Sequence, residues 1–138
     1  GIRYEYGIFR QTIRDGWLFT GDIATYDTDG FFKIVDRKTD LIKTFGYNVF
    51  PIEVEEAIRK LPDVADVAVI GVPDPEKDEI VKAFIILKPQ SNLSVAAIEQ
   101  FCREHLAKHK QPRQIELCSE LPRNFLGKVL RRRLREQQ

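Results

Sequence analysis

The stretch that decides the fold is Gly-Trp-Leu-Phe-Thr-Gly-Asp at residues 16–22, followed by Val-Asp-Arg-Lys-Thr-Asp-Leu-Ile-Lys-Thr-Phe-Gly-Tyr-Asn-Val-Phe-Pro-Ile-Glu-Val-Glu at residues 35–55. An acid, an arginine, a lysine and a glycine lie here around what we interpret as a joint between two bodies. The stretch begins close to the first residue, so we expect the first body to be incomplete. The chain would then carry only its own part of a shared site.

Length and composition predict one hydrophobic core of ordinary size. The chain has 138 residues, of which 43% are apolar, so it can fold without disulfides or a structural metal. Its formal net charge is +1, and such a balanced charge does not favour nucleic acid as a partner. The two cysteines form no zinc or disulfide pattern, and Cys102 reads as a small buried hydrophobe. We see no signal peptide or membrane span and expect a cytoplasmic setting.

The first forty residues predict short strands. The apolar runs 17–20, 23–26 and 31–35 read as extended segments, and Asp27-Thr-Asp-Gly30 predicts a hairpin between the last two. Residues 1–14 show no clear period, and we interpret them as a frayed segment.

Strands and helices alternate from residue 41 onward. Predicted strands cover 41–45, 64–72, 81–87 and 115–118, and predicted helices begin at Pro51, after Ser94 and at Val129. The expected fold is α+β: a small domain with a three-stranded sheet and flanking helices, preceded by a β-hairpin remnant of a larger domain.

Three features suggest chemistry, each with an ordinary structural alternative. Asp22 at a strand end could accept ribose hydroxyl groups or simply stabilise a turn. Arg37 and Lys43, on either side of Asp40, could bind a phosphate-bearing ligand or form surface ion pairs of little energy. Lys128 follows Gly127 on a polar loop and could carry a positive charge into a site, although the spacing is not that of a P-loop.

Two further patterns are weaker. His105 and His109 stand at i, i+4 of a predicted helix, a spacing that can ligate metal, but we favour histidines without a metal. The basic terminal segment 128–135 could contact coenzyme A, an anionic membrane or nucleic acid, and we favour a solvated helix face.

Taken together, the motifs at 16–22, 36–55 and 121–128 resemble, in order and spacing, the adenylate-forming enzyme superfamily of acyl-CoA synthetases, luciferases and peptide-synthetase adenylation domains. The segments Phe101–Leu106 and Leu121–Asn124 look most like long-chain fatty acid–CoA ligases. The resemblance implies residues 1–38 as the end of the large AMP-binding domain and residues 39–138 as the small C-terminal mobile domain.

The resemblance also implies a two-step reaction that uses ATP, Mg²⁺ and coenzyme A. A carboxylate attacks the α-phosphate of ATP to give an acyl-adenylate and pyrophosphate, and the thiol of coenzyme A then displaces AMP. In such enzymes the small domain rotates between the steps.

The site roles follow by position. Asp22 would hold the ribose hydroxyls, Arg37 would contact the ribose or phosphates, and Lys128 would stabilise the charge that develops in adenylation. Lys43 and Gly46 would face the site during thioester formation. The implied hinge position is Thr39, where the family usually has Asp or Lys.

The partners so implied are the large N-terminal domain of the same protein and a fatty acid or other carboxylate. This chain alone would be inactive in adenylation, because the ATP loop and the acyl tunnel belong to the large domain. Two alternatives stay open: another adenylate-former for aryl or amino acids, and a stand-alone binding module with this fold. The balanced charge and the lack of interleaved aromatic and basic residues argue against a third, a nucleic-acid-binding domain.

Overall fold

A computed structural model describes residues 13–138, and the chain divides into two compact units. The first unit ends at Thr39, and the second extends from Asp40 to Gln138. The prediction of a frayed segment at 1–14 falls mostly on residues 1–12, which lie outside the described part. Ile13–Arg14 is not frayed but forms a short strand.

The described residues of the first unit, from Ile13 onward, form two antiparallel pairs. Strands β1 (Ile13–Arg14) and β2 (Trp17–Leu18) form one pair, and β3 (Asp22–Tyr26) and β4 (Phe32–Arg37) form the other. The second pair is the predicted hairpin, and the carboxylate of Asp27 stabilises its turn by accepting from the N–H groups of Asp29 and Phe31. Among the described side chains of this unit only Asp36 is buried, whereas the large aromatic rings are exposed.

The second unit contains a five-stranded sheet. Its strands are β5 (Ile42–Thr44), β6 (Tyr47–Val49), β7 (Val64–Asp74), β8 (Asp78–Leu87) and β9 (Gln114–Leu117), in the order β6-β5-β8-β7 with β9 beside β8. The α+β class is confirmed. Strands β5, β7, β8 and β9 match the four predicted runs from residue 41 onward. Strands β7, β8 and β9 form the continuous part of the sheet, and the short hairpin β5–β6 extends it.

The pairing within this sheet places the hairpin and β9 on the same edge of β8. Strand β5 meets β8 antiparallel at Thr44 and Asp78, and β9 runs parallel to β8 further along. Strand β6 was not predicted, because Phe45-Gly46 is not a common hairpin signal. Both turn residues have positive φ, 51° and 76°, which is the requirement of a two-residue type I′ turn.

Three helices cover the sheet. They are α1 (Pro51–Ile58), α2 (Val95–His105) and α3 (Arg131–Glu136). Pro51 begins α1 as predicted, and the hydroxyl of Ser94 caps α2 by accepting from the N–H of Ala97 at 3.2 Å. None of the helices among residues 13–138 is both long and apolar enough to cross a lipid bilayer.

The core lies on both faces of β7 and β8. One cluster, the helix-side core, packs β5, β6 and alternate residues of β7 and β8 against α1 and α2. The smaller opposite-face cluster joins Ala68, Ile70 and Phe84 to Leu121 and Leu134. Since both faces of these strands are buried, their sequences are nearly continuous apolar runs rather than alternating ones.

Candidate functional site

The first candidate residues, Asp22 and Arg37, form a cross-strand ion pair in the first unit. They are register partners on β3 and β4, and Nε of Arg37 lies 3.0 Å from Oδ1 of Asp22. Gly21, with φ of 77°, directly precedes β3, and its carbonyl accepts from the N–H of Lys38 at 2.8 Å. The pair uses one carboxylate oxygen and one guanidinium nitrogen, and the arginine side chain is 56% exposed.

Thr39 is the last residue of the first unit and lies in a 3₁₀ turn that spans Lys38–Asp40. The next residue, Asp40, is attached to the terminal helix. Its carboxylate lies 3.5 Å from Nη1 of Arg131 and 3.0 Å from Nη2 of Arg135. Two arginines of α3 therefore bind Asp40, the first residue of the second unit. Within the second unit, Asp40 forms no ion pair with Lys43, its near neighbour in the sequence.

Lys43 and Gly46 share the β5–β6 hairpin. The side chain of Lys43 is exposed, and its backbone N–H, which points away from β6, donates to Oε2 of Glu79 at 2.8 Å. The Glu79 carboxylate lies over Gly71 on the neighbouring strand, where a Cβ would stand 2.7 Å from Oε1. Because Gly71 has no side chain, there is room for the Glu79 carboxylate that accepts a hydrogen bond from the backbone of β5.

The Gly46 turn has an open outer face. A Cβ built on Gly46 would meet nothing within 4 Å, and the positive φ is the one that glycine adopts without strain. An elongated ligand can therefore approach the backbone of this turn closely. A side chain at position 46 would both strain the turn and occupy that space.

A cavity of about 350 Å³ opens beside the same hairpin. Phe45, Tyr47, Lys108, His109 and Arg113 line it. The rings of Tyr47 and His109 stack with centroids 4.3 Å apart and planes 18° from parallel. Arg113 lies over the Phe45 ring at 5.6 Å from its centroid. Flat aromatic faces beside cations suit a heteroaromatic ring that carries phosphate.

Sequence reasoning missed this cavity and misplaced the histidines. Helix α2 ends at His105, because Leu106 is extended with φ of −122° and ψ of 141°. His109 lies in a separate 3₁₀ turn, Lys108–Lys110, so the prediction of two histidines on one helix face is wrong. His105 instead stacks on Phe101 at 4.0 Å. The basic run of residues 108–113 was the signal that could have indicated an anion site.

Lys128 lies on an ordered loop between β9 and α3. Oδ1 of Asn124 accepts from the N–H groups of Leu126 at 3.0 Å and of Lys128 at 2.9 Å. Arg123 and Val129 form an antiparallel bridge across the base of the loop. The Lys128 side chain is exposed and, within residues 13–138, its ammonium group forms no ion pair. A cation so placed is available to a ligand.

The thiols lie outside these candidate sites. Cys102 is 2% exposed, and burial raises its pKa to about 11, with a smaller contribution from Glu99. Burial also raises the pKa of Cys118. Neither thiol has the thiolate character of a nucleophile at neutral pH. The described residues contain no group of three or more His, Cys, Asp or Glu side chains that could hold a metal ion.

Among the described residues, the predicted site residues lie in three elements: the Asp22–Arg37 pair, the hairpin with its cavity, and the Lys128 loop. Comparison with known families identifies their setting, since a model of the AMP-binding enzyme C-terminal domain matches residues 53–128. The chain belongs to this family. The family is the one whose motifs were recognised in the sequence, so that resemblance is confirmed.

Individual relatives agree with this placement. The chain is 46% identical over 127 residues to a long-chain-fatty-acid–CoA ligase of Salmonella typhimurium, which covers 92% of this chain and 22% of the relative. It is 45% identical over 123 residues to a propanoyl:CoA ligase of Rhodococcus jostii whose acyl group bears a methyl-dioxo-octahydroindenyl ring system, covering 89% of this chain and 24% of the relative.

A solved structure extends the comparison to the fold. The ATP-bound MatB of Rhodopseudomonas palustris superposes with a TM-score of 0.88 at 35% identity, covering 93% of this chain and 26% of that one. The chain thus spans about a quarter or less of the length of these relatives. The two ligases use very different acids at nearly the same identity, so this part of the chain does not distinguish the acid.

Proposed function

We propose that this chain is the C-terminal part of an ATP-dependent acyl-CoA synthetase that activates a long-chain fatty acid as an acyl-adenylate and transfers it to coenzyme A. The family match over residues 53–128 carries the proposal, and the ligase relatives support it. Residues 1–38 would end the large AMP-binding domain, and residues 39–138 would form the mobile domain. Thr39 would be the hinge, since hinges need only residues that absorb dihedral change.

In the adenylation step the carboxylate oxygen of the acid attacks the α-phosphate of ATP, and pyrophosphate leaves. Lys128 would stabilise the negative charge that develops on the phosphate oxygens, because a preplaced cation in a closed site lowers the barrier. The carboxylate of Asp22 would accept hydrogen bonds from the ribose hydroxyls. Arg37 would hold the Asp22 carboxylate in place and would itself contact the ribose or the phosphates. The observed ion pair at 3.0 Å supports a joint role for these two residues.

In the second step the thiol of coenzyme A attacks the acyl carbon, and AMP leaves. The hairpin would then face the site, with the pantetheine arm passing the open backbone of Gly46. The adjacent cavity suits the nucleotide end of coenzyme A: Tyr47 and His109 offer a ring face, and Lys108 and Arg113 offer charge to phosphate. Lys43 would add a cation on the neighbouring strand.

Magnesium would enter with ATP rather than on ligands of this chain. The described residues provide no cluster of three or more ligating side chains, and Mg²⁺ is commonly bound by substrate phosphates with one or two carboxylates. This part of the protein would therefore contribute cations to the phosphates and not a metal site.

A second candidate is a synthetase of the same kind for a different acid. This candidate is supported because the chain is almost as similar to the Rhodococcus jostii ligase (45% identical) as to the long-chain-fatty-acid–CoA ligase of Salmonella typhimurium (46% identical). Assaying the full-length enzyme against fatty, aryl and polycyclic acids decides between the two candidates. A stand-alone module without catalysis predicts no ATP–pyrophosphate exchange with any acid.

The test of the proposed roles separates the two half-reactions in the full-length enzyme. Replacing Lys128→Ala should lower acid-dependent ATP–pyrophosphate exchange by about 100- to 1000-fold, while thioester formation from supplied acyl-adenylate should be largely retained. Lys88→Ala is the matched control, because Lys88 is an exposed lysine at the end of β8. Equal loss of both half-reactions would contradict the proposed role of Lys128.

A further inference from the structure

The Lys128 loop is closed by interactions between its two ends. The Arg123–Val129 bridge joins them, and the N–H of Leu130 donates to the carbonyl of Pro122 at 2.8 Å. This loop precedes α3 and carries no long run of sheet hydrogen bonds of its own. The direction of the Lys128 side chain therefore depends on the few groups that fix the turn.

Arg123 is the side chain that spans the loop. Its Nη1 donates to the carbonyl of Gly127 at 2.6 Å, and its Nη2 pairs with Oδ2 of Asp66. Gly127 directly precedes Lys128, so the bond to its carbonyl orients the peptide plane that leads into the lysine. The planar guanidinium can hold both acceptors at once because its N–H groups lie in a fixed fork.

Asp66 supplies a rigid base for this arginine. It lies at the register shift between Val64 and Asp66 in the pairing of β7 with β8. Its Oδ1 accepts from the N–H of Val67 at 2.8 Å and lies 3.8 Å from Nη2 of Arg59. Because β7 pairs with β8 along its length, the carboxylate is tied to the centre of the unit.

We infer that Arg123, Asp66 and the Gly127 carbonyl form a clamp that positions Lys128 for adenylation. Arg123 is a positioning residue here, and Asp66 holds it. The functional part of this inference rests on the proposed role of Lys128, whereas the interactions of Arg123 with Asp66 and Gly127 fix the loop whatever that role is. A half-exposed pair of this kind adds little to global stability, so its effect is expected in the geometry of the loop.

The alternative role for Arg123 is direct contact with the nucleotide as a second cation. The two roles differ in what they require of Asp66. A clamp fails when either partner is removed, whereas a direct cation needs no carboxylate 57 residues away in the chain. Substituting Asp66 while keeping Arg123 therefore distinguishes them.

The experiment compares Arg123→Gln, Asp66→Asn and the double variant in the full-length enzyme. Each single variant should lower ATP–pyrophosphate exchange by about 10- to 100-fold, as a misplaced catalytic group does. The double variant should be no worse than the singles, because the two residues act as one unit. Thioester formation from supplied acyl-adenylate should be retained. Arg132→Gln, which removes an exposed arginine paired within α3, is the matched control.

Hydrogen exchange gives a readout that does not depend on activity. Amide exchange in the segment 124–128 should accelerate roughly tenfold in both single variants. The reason is that loss of a charge-assisted hydrogen bond raises the equilibrium constant for opening of the loop by about tenfold or more. Wild-type adenylation in Asp66→Asn, additive losses in the double variant, or unchanged exchange would overturn the clamp. If Lys128→Ala retains adenylation while exchange responds as expected, the proposed role of Lys128 fails, and the clamp is left as a group of interactions that orders the loop without serving adenylation.

Discussion

The hairpin turn at Phe45–Gly46 and the Lys128 loop are both exposed, and each contains a glycine with positive φ, 76° at Gly46 and 81° at Gly127. They differ in what holds them. Three consecutive register pairs of the β5–β6 ladder fix the hairpin. The loop is held partly by backbone hydrogen bonds, from the N–H of Asn124 to the carbonyl of Lys128 and from the N–H of Gly127 to the carbonyl of Asn124, and partly by the side chains of Arg123 and Asn124. The hairpin therefore depends on backbone pairing, whereas the loop depends on side chains as well.

The packing beneath the two elements differs as well. Ile42 and Val49 of the hairpin belong to the larger helix-side core. Leu121 beside the loop belongs to the smaller opposite-face cluster, and Val129 packs against that cluster. In the proposed function the hairpin would border the path of coenzyme A, and the loop would bring the charge of Lys128 to the phosphates of ATP. Each prediction below perturbs one side of this comparison.

The largest expected effect is on the support of α3, the helix that follows the loop. Glu55 is 3% exposed, and its Oε1 accepts from Nη2 of Arg131 at 2.7 Å and from the N–H of Val69 at 2.9 Å. Replacing Glu55→Ala removes the acceptor of the Val69 N–H and of Nη2 of Arg131 from a buried site, which should lower the free energy of unfolding by about 3–5 kcal/mol. Urea denaturation of the chain measures it.

The matched control for that prediction is Glu55→Gln. The amide oxygen can still accept from Val69, so the loss should be clearly smaller than in the alanine variant. Equal losses in the two variants would show that the negative charge of Glu55, and not its hydrogen bond from the Val69 N–H, determines the stability at this position.

The next effect concerns the backbone surface of the hairpin. Replacing Gly46→Val in the full-length enzyme should lower thioester formation by about 100-fold, because a side chain would occupy the path along the turn and strain its φ. Adenylation should be largely retained. Rates from supplied acyl-adenylate and coenzyme A measure this step.

Gly30→Val controls for strain, since Gly30 has φ of 85° and a Cβ there also meets nothing within 4 Å. It lies in the turn of the β3–β4 hairpin, away from Gly46 in the sequence. A similar loss of thioester formation in both variants would mean that turn strain, rather than obstruction of the ligand, causes the effect.

A smaller effect should separate side-chain support from backbone support directly. Replacing Asn124→Ala removes the acceptor of two loop N–H groups and should accelerate exchange of the Leu126 and Lys128 amides roughly tenfold, as expected for about 1.4 kcal/mol. Asn48→Ala in the hairpin should leave the amides of β5 and β6 unchanged, because the ladder does not need that side chain. Comparable acceleration in both elements would remove the distinction.

The smallest effect concerns the thiols, which report on the two core clusters. Cys102 belongs to the helix-side core and Cys118 packs against the opposite-face cluster. Burial raises the pKa of Cys102 to about 11 from an ordinary 9.0, so at pH 9 iodoacetamide should alkylate Cys118 well before Cys102. In denaturant both thiols should react at the same rate.

The same shift sets a pH dependence. The folded chain binds the Cys102 proton more tightly than the unfolded chain, so the associated stability is fully present below pH 9 and is lost as the pH rises towards about 11. A Cys102→Ser variant should lose this dependence. Alkylation of Cys102 as fast as Cys118 would show that the helix-side core opens as readily as the smaller cluster.

Sequence patterns predicted much of the fold because its signals are local. Pro51 and Ser94 begin helices by rules of the first turn, and the apolar runs of β7 and β8 identify buried strands. Strand β6 was missed because Phe45 adopts a left-handed conformation that its residue type does not favour. The histidines were misplaced because α2 ends one turn earlier than its pattern suggested.

The sequence by itself determined the family, the α+β class and the candidate residues Asp22, Arg37, Lys43, Gly46 and Lys128, since motif order and periodicity are properties of the chain. Only the tertiary structure decided which charges meet. Asp40 pairs with α3 and not with its near neighbour Lys43, and Asp66 reaches Arg123 across 57 residues. The physical reason is that ion pairs form between side chains that folding brings within a few ångströms, and sequence separation does not encode that distance.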